Sequence, residues 1–93
     1  MNWKQNSTIR QRDFGTHIVL VDPDKAMVHD LNEVGTFMWM QLDGTRSVDD
    51  VAQALTQKYK VVHSEALADV ETFVQRLSQL GLLEAGHSGE GTG

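Results

Sequence analysis

The 93-residue chain contains no cysteine and a single proline, and it has 8 lysines and arginines against 13 aspartates and glutamates. Without cysteine there is no disulfide framework, no thiol nucleophile and no zinc-thiolate centre. That absence fits a reducing compartment, so a cytoplasmic location is expected. The formal charge of −5 repels a phosphate backbone over most of the surface, which makes nucleic acid a poor partner. No apolar run approaches the roughly 20 residues needed to span a bilayer, and Met1-Asn2-Trp3-Lys4-Gln5-Asn6 lacks the apolar stretch of a secretory signal. Neither membrane insertion nor secretion is expected. The nucleotide motifs GxGxxG and GxxxxGK[ST] and the nucleophile elbow are also missing. The chain is therefore not expected to be an enzyme or to need a cofactor.

What is present suffices for one small domain, since 40% of the residues are apolar. Lys4, Arg10 and Arg12 precede the first acid, Asp13, in a stretch read as solvated; residues 1–8 are expected to form a flexible arm and residues 9–84 the domain. Residues 85–93, Ala-Gly-His-Ser-Gly-Glu-Gly-Thr-Gly, offer too little apolar surface to offset the entropy of ordering, and predict a disordered tail.

Residues 16–21 are β-branched and apolar, and residues 26–31 follow after Asp22-Pro23-Asp24-Lys25, which predicts a hairpin. Pro23 presets φ at the second turn position, and Asp22 can accept from the backbone two residues on. Pairing Asp22 with Lys25 sets Leu20 opposite Met27 and Ile18 opposite His29, with Ile18, Leu20, Met27, His29 and Leu31 on one face. Ile9 to Phe14 is a weaker candidate for a third strand.

Asn32 occupies an N-cap position, with Glu33 beside the positive end of the helix dipole. The first helix then runs to about Leu42. Its Phe37-Met38-Trp39-Met40 run is apolar nearly all round and predicts a central helix with Trp39 in the core, ended by a turn at Asp43-Gly44-Thr45. Ser47-Val48-Asp49-Asp50 is a helix start, followed by Val48, Val51, Ala52, Leu55 and Tyr59 at helical spacing. Ser64-Glu65 opens a third helix with a stripe of Ala66, Val70, Phe73, Leu77 and Leu80, and Gly81 is its left-handed stop.

The histidines His17, His29, His63 and His87 show neither HxH nor HxxxH spacing and predict no metal site. Of these, His29 beside the core face is the best candidate for a specific hydrogen bond. Asp49 and Asp50 point about 100° apart on a helix, which suits capping better than paired acid–base work.

The pattern Leu31, Asn32, Gly35, Trp39, Leu42, Asp43, Gly44, Val51, Leu55, Tyr59, Asp69, Val70, Phe73, Leu77, Gly81 and Leu82 resembles the PqqD-like family of peptide-binding proteins over roughly residues 16–83. The resemblance implies an α+β, winged helix-turn-helix-like fold: an N-terminal hairpin or three-stranded antiparallel sheet followed by three helices. It also implies a peptide chaperone that binds the leader of a ribosomally made precursor peptide by β-strand addition. Such a module presents the peptide to a modifying enzyme, often a radical SAM maturase.

Residues 26–30, as an edge strand beside the third helix, form the candidate site. Its peptide-binding residues are expected to be Ala26, Met27, Val28, His29 and Asp30 on the strand, with Leu67, Val70, Glu71 and Val74 on the helix. Leu67 and Val74 suit either this groove or the core, and Asp69 suits either dipole support or a ligand contact. The alternative function is a winged-helix DNA-binding regulator whose third helix enters the major groove. Residues 64–83 oppose it, with Glu65, Asp69 and Glu71 against Arg76.

Overall fold

The computed structural model describes residues 2–86. In chain order the elements are β1 (Asn2–Gln5), β2 (Arg10–Asp13), β3 (Ile18–Asp22), β4 (Met27–Asp30), α1 (Glu33–Gln41), β5 (Asp43–Ser47), α2 (Val48–Tyr59), α3 (His63–Gln79) and β6 (Leu83–Gly86). They form two antiparallel three-stranded sheets, β2-β3-β4 and β5-β1-β6, with three helices. The expected α+β architecture and its N-terminal sheet are present.

The β3–β4 hairpin keeps the expected faces but shifts register by two residues. Leu20 lies opposite His29, and Asp22 opposite Met27. A two-residue shift leaves each side chain on its own face, so Ile18, Leu20 and Leu31 are buried as anticipated, whereas Met27, expected on the same core face, is exposed and His29 is only half-buried. The loop is correspondingly longer. Asp22 Oδ1 accepts from the N–H groups of Asp24 and Lys25 at 3.1 and 3.2 Å, and Ala26 takes a left-handed φ of 53°.

Helix signals act as the sequence implies. Asn32 Oδ1 accepts from Gly35 N at 2.7 Å, and Ser47 and Asp50 exchange both capping-box bonds at 3.0 Å. Gly81 (φ 78°) closes α3 with a paired stop, its N–H donating to Ser78 O while that of Leu82 donates to Leu77 O. The start of α3 differs from expectation: its cap is Val62, and no side chain fills that role. Within α1, Met38 and Trp39 are buried but Met40 is exposed, so the helix is covered on part of its circumference only.

The second sheet overturns three expectations. Residues 2–5 are the central strand of β5-β1-β6, not part of a flexible arm; Asp43–Ser47 is a strand, not only a turn; and Ala85 and Gly86 belong to β6. These strands are short, β1 and β5 are largely polar, and their partners lie some 40 to 80 residues away in sequence. Side chains reinforce the pairing, as Asn2 donates to Gly44 O, Gln5 to Trp39 O and Asn6 to Gly81 O. The rest of the anticipated tail, residues 87–93, lies outside the described residues. Trp39, Leu20, Leu42, Leu55, Leu82, Val51 and Val70 fill the centre of one core shared by the helices and both sheets.

Candidate functional site

β4 is an edge strand, and the alternation of antiparallel pairing decides which of its backbone groups are free. Leu31 N donates to Ile18 O at 3.1 Å, so the Leu20–His29 and Asp22–Met27 pairs are the hydrogen-bonded ones. The N–H and C=O groups of Val28 and Asp30 consequently point away from β3, along the open edge. Val28 is also 64% exposed, unusual for a β-branched apolar residue.

A groove lies between this edge and α3. Its floor and walls come from Val28 to Asn32, from Val34, Gly35 and Met38 of α1, and from Asp69, Thr72, Phe73, Arg76, Leu77 and Leu80 at the α3 side. Gly35 permits the closest approach: a Cβ there would stand 3.4 Å from the Phe73 ring and 3.2 Å from Asn32 Oδ1. At the other end, Lys25 Nζ donates to Leu80 O at 3.0 Å. The start of β4 is thus beside the end of α3, and the two elements run in opposite directions.

The helix presents a different flank to β4 from the one expected. Successive residues turn by about 100°, so Asp69, Phe73, Arg76 and Leu80 share one flank of the buried stripe while Leu67 and Glu71 share the other. Val70 and Val74 are in the stripe itself, at 0% and 5% exposure. They are core residues and do not line the groove. Leu67 packs partly against the core and Glu71 is exposed, and neither lines the groove.

Of the five strand candidates, Val28, His29 and Asp30 line the groove. Met27 belongs to β4 but lies outside the lining, and Ala26 is in the loop, where its left-handed backbone is incompatible with an extended pairing. His29 makes no side-chain hydrogen bond among the described residues. Instead, His17 stacks on Phe14, contacts Thr16 Oγ1 at 3.0 Å and approaches Asp30 at 3.4 Å. On the α3 side the groove residues missed by pattern reading are Thr72, Phe73, Arg76, Leu77 and Leu80, and the whole contribution of Leu31, Asn32 and α1 was missed as well. A signal for two of them was visible, since Phe73 and Leu80 sit at one margin of the helical stripe.

No group of three or more His, Cys, Asp or Glu side chains converges as a metal site among the described residues. No helix there is long and apolar enough to cross a membrane. The groove's chemistry is therefore that of a free backbone edge, an apolar wall and three charged side chains, Asp30 on the strand and Asp69 and Arg76 on the helix.

The sequence profile described as coenzyme PQQ synthesis protein D (PqqD) matches residues 17–83. The chain belongs to the PqqD family. Two solved structures share the PqqD-like fold of this chain with a TM-score of 0.81 each. One, TbiB1 in complex with the TbiA(beta) leader peptide, is 21% identical, and the match covers 91% of this chain and 98% of that one. The other, lasso peptide synthetase B1 complexed with the leader peptide, is 25% identical over 90% of this chain and 99% of that one. No curated protein sequence matches the chain.

Proposed function

We propose that this chain binds the leader segment of a ribosomally made precursor peptide by β-strand addition at β4 and presents it to a modifying enzyme. The observation that carries the reading is the free edge of Val28 and Asp30 beside the Phe73-lined groove. Main-chain hydrogen bonds supply affinity in this mode, and pockets for alternate side chains supply selectivity. Membership of the PqqD family and the two leader-bound structures of the same fold support it. The chain itself binds without catalysing, in the cytoplasm, and a radical SAM maturase is one class of enzyme it would serve.

Nothing favours duplex DNA as the ligand. α3 carries Glu65, Asp69 and Glu71 against Arg76, the wrong sign for a helix entering the major groove.

The test is an NMR titration of labelled protein with a synthetic leader segment of a candidate precursor peptide. Large amide shifts are expected at residues 28–31 and 69–80. Shifts confined to α2 or to β5-β1-β6 would move the site elsewhere. Co-purification of the chain with a candidate modifying enzyme checks the second half of the reading.

A further inference from the structure

The two charged side chains on the α3 wall are free to recognise a ligand. Asp69 and Arg76 both line the groove, both are exposed, and neither makes a salt bridge or side-chain hydrogen bond among the described residues. They are seven residues apart on one helix flank, which separates them by roughly 10 Å along the axis. Phe73 lies between them. The groove is thus polar at both ends, with opposite signs, and apolar in the middle.

Direction follows from the topology. Because β4 and α3 run in opposite directions, a strand added antiparallel to β4 runs parallel to α3, with its N-terminal end at Asp69 and its C-terminal end at Arg76. Antiparallel addition continues the pairing of β2-β3-β4 and is the slightly more stable ladder. Side chains on one face of a strand recur every second residue, at about 6.6 Å. Two such steps span about 13 Å and bracket the Asp69–Arg76 separation once the reach of the side chains is included.

Resting on the leader-binding reading, we infer that the peptide taken by this groove carries a basic, an apolar and an acidic residue at positions i, i+2 and i+4, in that order from its N-terminus. The base meets Asp69, the apolar residue enters against Phe73, and the acid meets Arg76, reinforced by the Lys25 ammonium at the same end. Residues i+1 and i+3 face away from the helix and carry no such requirement.

Panning a random dodecapeptide library against the full chain and against the double variant Asp69→Lys/Arg76→Glu tests this. Both substituted side chains are exposed, and circular dichroism checks that the fold is retained. The wild-type chain should enrich base-x-apolar-x-acid, and the double variant the inverse order. Synthetic peptides of the enriched order should bind the wild type roughly three- to tenfold tighter than the same peptides with the charges exchanged, the sum expected of two surface ion pairs. Enrichment of apolar peptides without charge order, or of the same order by both proteins, would overturn the charge assignment and leave strand addition standing. Enrichment of the acid-first order by the wild type would overturn the antiparallel direction, and the inference with it. Recovery of no peptide at all would sink the peptide-binding reading as well.

Discussion

Lys25 reaches from the β3–β4 loop to the end of α3, where its Nζ donates to the Leu80 carbonyl at 3.0 Å. The contact ties the edge strand to the helix across one end of the groove. It also satisfies a carbonyl in the last turn of α3, where a cation is favoured by the helix dipole.

Gly81 stands next to this contact with φ 78°, and a Cβ on it would fall 2.8 Å from Lys25 Nζ. The lysine can swing away, but the left-handed backbone remains strained for any L side chain. Gly81→Ala should therefore cost about 1–2 kcal/mol, read as a lower urea midpoint. Lys25→Met should cost less than about 1 kcal/mol, since its bond is exposed.

Trp39 is fully buried, and its Nε1–H has no hydrogen-bond partner among the described residues. Trp39→Ala should cost on the order of 3–5 kcal/mol, a large share of the stability of a domain this small. Trp39→Phe should be far milder, because it removes the unpaired donor along with part of the ring. Denaturant unfolding of the two variants separates these effects.

Val28 contributes an outward N–H that no strand among the described residues uses. Val28→Pro should leave the melting temperature within a few degrees, because proline is tolerated where the N–H faces solvent on an edge strand. Leader binding, measured by calorimetry, should be abolished, whereas Val28→Thr should weaken it only slightly.

Opposite flanks of α3 should respond differently to substitution. Phe73→Ala should lower leader affinity by about tenfold or more, as expected of an aromatic group in a binding pocket. Glu71→Lys, on the flank away from β4, should change it by less than about twofold. Equal losses from both variants would mean that the peptide does not lie in this groove.

Asp43, at the start of β5, has its carboxyl held below the usual range, first by hydrogen bonds from the Thr45 hydroxyl and N–H and then by the charge of Arg46. A carboxyl with a lowered folded-state pKa contributes stability above its unfolded pKa, and that contribution is lost as pH falls through the folded value. Asp43→Asn should flatten the decline in stability on acidification below the ordinary aspartate pKa of about 3.9. Thermal melts from neutral pH downward will show whether the two curves converge at the acid end.

Three helix-end signals were legible in the chain and behaved as read, while the expected Ser64 start of α3 did not. Asn32, Ser47 with Asp50, and Gly81 mark helix ends through bonds spanning a few residues, and the period of the apolar positions sets which faces of α2 and β3 are buried. The family pattern likewise lies in these scaffold positions. Tertiary structure alone decided the rest. β1, β5 and β6 have weak local preference and exist because distant segments meet, so no short window of sequence announces them. The face that α3 turns to β4 was equally hidden. Its apolar surface is wide enough to serve two flanks, and the choice was made by where α1 and the hairpin pack, with Gly35 against Phe73 and Lys25 at Leu80. Val74 went into the core and Phe73 into the groove wall, because periodicity tells a helix which side is apolar but not which neighbour will cover it.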